Sequence, residues 1–208
     1  MKHKFQASFS LLNVLAFAIL ATIYLAWVFY PLEIKWLGLE NIVYMKAADI
    51  SYNFNTLMHY LTNPFQQVLS MPNFSSSDAG LHHFHQVKIL FHLAQVIFLL
   101  TLPALILFIK NVILKGYGHL FQRKFVIAAI LPIVIGFLAF LIGFDTFFVL
   151  FHKLLFPGDS TWLFDPNQDP VIYILPQDFF MHCFILFFFL YEFLMCAMIF
   201  LCCKKKVV

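Results

Sequence analysis

Charge is scarce in this chain. Asp, Glu, Lys and Arg make up 11% of its 208 residues against 62% hydrophobic and 19% aromatic, at a mean hydropathy of +0.88, and that balance excludes an ordinary soluble domain. The common catalytic signatures are missing too: there is no Gly-x-Ser-x-Gly elbow, no His-Glu-x-x-His zinc pair, no glycine-rich phosphate loop and no Cys-x-x-Cys. Cysteine is sparse and badly placed for a framework. Cys183, Cys196, Cys202 and Cys203 all fall in or at the end of the last apolar run, where neither a disulfide nor a zinc-ligand spacing fits, and they read as apolar filler. No internal repeat or low-complexity tract divides the sequence, so it reads as a single membrane domain over 1–208.

What the chain does have is long hydrophobic runs. Four of them, 7–30, 89–109, 125–150 and 179–203, suffice to cross about 30 Å of hydrocarbon at about 1.5 Å per residue. Each is expected to be a helix, because unpaired backbone cannot face lipid. The first run follows the basic start Met1-Lys2-His3-Lys4, yet it is too long for a signal peptide and carries no small-x-small cleavage site, so a retained span is expected.

Basic residues sort by side. Lys2, Lys4, Lys110, Lys115, Arg123, Lys124, Lys204, Lys205 and Lys206 account for nine of the thirteen and mark the cytoplasmic flanks. The net charge of +3 is explained by those flanks and points to no nucleic acid. The expected architecture is an all-α integral membrane protein: a four-transmembrane-helix bundle with both termini cytoplasmic and a helical and loop cap from the extracytoplasmic segments 31–88 and 151–178. Within the cap, 44–61 reads as a helix. Ser75 to Gly80 and Pro157-Gly158-Asp159-Ser160 supply turn chemistry, and Trp36 and Trp162 suit the headgroup layer.

Imidazoles are costly in lipid and ordinary in water, so histidines gathered at one membrane boundary point to proton-handling chemistry there. Leu81-His82-His83-Phe84-His85 and Phe151-His152-Lys153 lie at such boundaries. At 100° per residue His85, Lys88, His92 and Gln95 share one helical stripe, which favours His85 over His83. Asp145 and His152 share a face but stand about 10.5 Å apart along the axis, too far to bond. Asp145 is therefore expected to reach a cation on another helix, such as Lys88, or a second histidine. His82, His92 and His182 read as interface residues, and Glu192 is a carboxylate inside a span with no evident partner. A His-Phe-His pair without carboxylate or thiolate ligands gives no metal site.

From the third run onward the sequence reads Phe144-Asp145-x-x-Phe148-x-x-Phe151-His152, Phe156-Pro157-Gly158, Trp162-x-Phe164-Asp165-Pro166, Asp169-Pro170-x-Ile172 and Leu175-Pro176-x-x-Phe179-Phe180. Upstream stand Asn55-x-Leu57-Met58-x-Tyr60-Leu61 and Gly80-Leu81-x-His83-Phe84-x-x-Val87-Lys88. Together these resemble the lipoprotein intramolecular transacylase (Lit) family of Gram-positive bacterial membrane proteins. Gln86 stands where many relatives carry an acidic residue, and His85 lies outside the motif, so the resemblance favours His83.

The resemblance implies a cell-membrane enzyme with an extracytoplasmic site and no cofactor, acting on diacylglyceryl-modified lipoproteins among membrane lipid. It implies transfer of the sn-2 acyl chain from glycerol to the α-amine of the N-terminal cysteine, leaving a lyso-form lipoprotein. His83 and His152 are implied as catalytic, the first as base and the second as acid or oxyanion partner, or with those roles exchanged. His85, Lys88, Asp145, Asn55, Tyr60, Trp162, Asp165 and Asp169 are implied as supporting or substrate-positioning residues. Direct transfer passes through a ring of about eight members, whose ordering cost a site removes by holding near-attack geometry. An α-amine has a pKa of about 7.7 to 8.0 and histidine about 6.5, so imidazole is able to take the amine proton as the bond forms. The readings weighed against this are a haem-binding electron-transfer subunit using His92 and His182, and a small transporter or accessory protein with Asp145, Lys88 and Glu192 along a polar path.

Overall fold

The computed structural model describes residues 2–203, and no strand occurs among them. The basic cluster Lys204 to Lys206 lies outside the described residues. Seven α-helices run in order: α1 Lys2–Trp36, α2 Leu39–Val43, α3 Ala47–Thr62, α4 Asp78–Phe108, α5 Gln122–Ile142, α6 Phe144–Leu155 and α7 Gln177–Cys203. A π turn, Ile109–Ile113, extends α4. Four of these, α1, α4 with its extension, α5 and α7, are long and apolar enough to cross a membrane.

Three of the long helices depart from their hydropathy limits, α4 by beginning at Asp78, well before the apolar run at 89. Helix α1 continues through Pro31 to Trp36. The run 125–150 is not one helix. Gly143, with φ 81°, separates α5 from α6, a left-handed backbone that a residue with a Cβ adopts only at a cost.

The chain forms two compact units. One comprises the chain up to Thr22, Leu93–Leu141 and the chain from Ile185. Ala7, Val14, Ala18, Phe108, Phe125 and Met195 are among its core residues. Inside it Asn13 is 1% exposed and donates to the Phe98 carbonyl at 2.8 Å and the Thr101 hydroxyl at 2.9 Å. That clasp satisfies an amide which hydrocarbon alone would leave unpaired.

The other unit comprises Ile23–His92 and Ile142–Phe184. Helix α3 buries Ile50, Phe54, Leu57, Met58 and Leu61, the spacing of one apolar face at 3.6 residues per turn. Tyr30 stacks on Phe54 with centroids 3.5 Å apart and donates its hydroxyl to the Ile174 carbonyl at 2.6 Å. Asp169, 2% exposed, accepts from both the backbone N–H and the hydroxyl of Ser77, each at 2.7 Å. The Ser77 hydroxyl in turn accepts from the Gly80 N–H at 3.0 Å. These bonds occupy orphan donors at the N-terminus of α4 and fix its rotation against the loop after α6. A Cβ on Gly80 would fall 2.2 Å from an Asp169 carboxylate oxygen, so only glycine fits.

Candidate active site

The first turns of α4 bury Gly80, His83, Phe84 and Lys88, a stripe at i, i+3, i+4 and i+8 that points polar side chains inward. Once the helix begins at Asp78, His83 is its inward histidine and His85 is exposed. Helix α6 brings His152 from the other side, with the two imidazole centroids 6.0 Å apart. The His152 Nδ1–H donates to the Phe148 carbonyl at 2.8 Å, a bond that assigns the tautomer and leaves Nε2 with its lone pair.

Aromatic rings hold both histidines. Trp162 stacks on His152 at 4.8 Å and 28°. Phe156 and Phe164 stand edge-on to His83 at 4.9 and 5.6 Å. His83 is 6% exposed, and its Nδ1 has no hydrogen-bond partner. Burial lowers the His152 pKa from 6.5, opposed by its bond to the Phe148 carbonyl, so the neutral ring is favoured.

Beside the pair runs an open cleft of about 570 Å³, lined by Gln86, Ile89 and Leu90 of α4, Leu155 and Phe156 of α6, and the turn from Pro157 to Ser160. Asp159 is its one carboxylate. That carboxylate accepts from the Thr161 N–H at 2.7 Å, the Gln86 amide at 2.7 Å and the His82 ring at 3.1 Å. Thr161 foremost, and then Gln86 and His82, hold its pKa well below the usual carboxylate range. The Trp162 indole N–H donates to the Asp159 carbonyl at 3.1 Å, so one turn supports both the carboxylate and the ring stacked on His152.

The remaining expected site residues scatter. Lys88 donates to the Gln66 carbonyl and lies 4.4 Å over the Tyr60 ring. Asp145 is exposed and accepts from the Gln177 amide at 2.5 Å, so its partner is an amide rather than the expected cation. Asn55 accepts from the Trp27 indole at 2.7 Å. Asp165 accepts from the Asn167 N–H in its own turn, and Asp169 holds Ser77 as described. His182 is more than an interface residue, since its Nδ1 pairs with Glu33 at 2.8 Å. Glu192 has one buried oxygen without a partner.

Asp159 and Gln86, which line the cleft, and the Phe148 carbonyl, which holds His152, are contacts that sequence reasoning did not single out. No group of three or more His, Cys, Asp or Glu able to hold a metal occurs among the described residues.

The family model for lipoprotein intramolecular transacylase Lit matches residues 5–180. The chain belongs to the Lit family. Its helices are similar to those of the solved membrane integral lipoprotein intramolecular transacylase Lit from Bacillus cereus, with TM-score 0.80 and 28% identity over 97% of this chain and 90% of that one. A structure of the Bacillus cereus protein with a histidine-to-arginine mutation matches at TM-score 0.76 and 29% identity, over 96% of this chain and 87% of that one. One with a histidine-to-alanine mutation matches at TM-score 0.78 and 28% identity, over 95% and 88%. A search of curated proteins finds no match. This Lit family member is thus a multi-pass membrane acyltransferase that carries out lipoprotein intramolecular transacylation, which sets aside the haem-subunit and transporter readings.

Proposed function

We propose that this enzyme moves the sn-2 acyl chain of a diacylglyceryl lipoprotein onto the α-amine of the lipoprotein's N-terminal cysteine, on the extracytoplasmic side, with His83 and His152 as its acid–base pair. The observation that carries the reading is the approach of the two imidazoles to 6.0 Å with the His152 Nδ1–H committed to the Phe148 carbonyl. A ring whose Nδ1 donates to a fixed acceptor presents a basic Nε2, so His152 takes the amine proton as nitrogen attacks the ester carbonyl. His83, buried against Phe156 and Phe164, donates an N–H to the carbonyl oxygen as negative charge develops there. The His152 imidazolium then protonates the departing glycerol oxygen. This order exchanges the roles first implied for the two rings, because the anchored tautomer belongs to His152.

The acyl chains of such a substrate lie in the leaflet while its ester and amine lie at headgroup depth. The apolar wall of the cleft, Ile89, Leu90 and Leu155, suits a chain, and its polar end suits the reacting atoms. The test is mass spectrometry of a reporter lipoprotein from a host expressing the chain, beside His83→Ala and His152→Ala. Each variant is expected to lose lyso-form product by about two orders of magnitude or more. Conversion that survives loss of both rings overturns the site, and diacyl lipoprotein left unchanged by intact enzyme overturns the reaction.

A further inference from the structure

We propose that Asp159 and Gln86 form the subsite that receives the substrate's α-ammonium. The inference rests on the transacylase reading above and adds how the acceptor nitrogen is recognised. Acyl chains and a glycerol ester are common to most membrane lipids. What singles out this substrate is a primary ammonium close to the ester, and the two histidines, one anchored through Nδ1 and the other walled by phenyl rings, do not select a cation.

A cation subsite needs acceptors beside the histidines. Among the carboxylates of this unit, Asp169 is buried and held by Ser77, Glu33 is paired with His182, Asp165 serves its own turn, and Asp145 is bound by Gln177. Asp159 differs in lining the cleft, which it shares with Phe156, the ring in contact with His83. His82, which bonds to it at 3.1 Å, has a side chain 54% exposed, a contact that an arriving ammonium replaces without cost to the core. Gln86 turns its amide N–H to Asp159 and leaves its carbonyl oxygen buried with no donor. A buried acceptor without a donor destabilises the fold, and an ammonium N–H removes that deficit. Carboxylate and amide oxygen together supply two of the three acceptors that a primary ammonium requires.

The chemistry closes on itself. Nitrogen loses two protons as its bond to the acyl carbon forms and the bond from that carbon to the glycerol oxygen breaks: one proton ends on the glycerol oxygen, and the other leaves through His152 to water. The product nitrogen is a neutral amide, so the charge that held the substrate is gone and the subsite favours release.

The test uses the full chain in lipid nanodiscs and two unreactive ether-linked analogues of a diacylglyceryl-cysteinyl peptide, one with the free amine and one des-amino. The wild-type protein is expected to bind the amine form at least about tenfold more tightly. In Asp159→Asn, which keeps the size but removes the charge and exchanges one acceptor oxygen for an amide N–H donor, that ratio falls to about one while des-amino affinity stays unchanged. Gln86→Met, which removes the amide oxygen and keeps the packing, lowers the ratio as well and decides the matter if Asp159→Asn does not fold. Equal binding by the wild-type protein, or a ratio untouched by the variants, overturns the subsite. Lyso-product assays run separately: product without amine selectivity sinks the subsite alone, and amine selectivity without product sinks the transacylase reading alone.

Discussion

At the scale of single residues, what distinguishes the histidines of this chain is their surroundings. His152 is anchored by a backbone carbonyl and stacked by Trp162, whereas His85, two residues from His83, is exposed. His85→Ala is therefore expected to leave lyso-product formation within about twofold of wild type, since surface substitutions away from a site are usually near neutral. Trp162→Ala frees the imidazole to rotate and is expected to lower kcat by about tenfold or more, with Trp162→Phe recovering part of it, because misplaced reacting groups lose rate steeply. His152 works as a base only when neutral. Burial lowers its pKa below 6.5, so activity is present above the lowered value and falls as pH drops through it, which places its acid limb below pH 6.5 in a kcat/KM–pH profile. A limb at or above the ordinary histidine value contradicts the assignment. The sequence motif pointed to His83 and the helical stripe to His85. The stripe ranks faces by polarity, while α4 turns His83 and Lys88 inward and His85 out. Asp159 was read as a turn residue in Pro157-Gly158-Asp159-Ser160, and it is one. Its second role depends on Gln86 and His82, more than seventy positions away, and no local pattern contains that.

Helices and their junctions carry the next level of the design. The four spans were legible because length and hydropathy suffice to find an apolar helix. The interruption at Gly143 was not, since the residues on both sides are apolar and one glycine barely alters a window average. Gly143→Ala is expected to cost about 1 kcal/mol through its left-handed backbone, read as a lowered Tm in detergent. Gly80→Ala is more damaging. Its Cβ would displace the Asp169 carboxylate and break both bonds to Ser77, a loss of about 1–3 kcal/mol per orphaned buried group. Because that latch sets the rotation of α4, Asp169→Ala is expected to lower kcat as well as Tm although Asp169 touches neither histidine. A thermal melt together with product formation from the same preparation checks both.

For the molecule as a whole, the sorting of basic residues predicts both ends of the chain on the cytoplasmic side. Reporter fusions at the two termini check this, and an extracytoplasmic signal from either would relocate the site. Helix α1, with 35 residues, is about 52 Å long at about 1.5 Å per residue, well beyond the roughly 30 Å of a hydrocarbon core. Helix α5, with 21 residues, barely spans it. The four apolar helices hold the enzyme in the lipid plane, which also holds an acylated lipoprotein. Encounter with substrate then becomes a search in two dimensions. Turnover is set by how crowded the leaflet is with lipoprotein rather than by its bulk concentration, so diluting the membrane with inert phospholipid at constant total substrate slows the reaction in proportion.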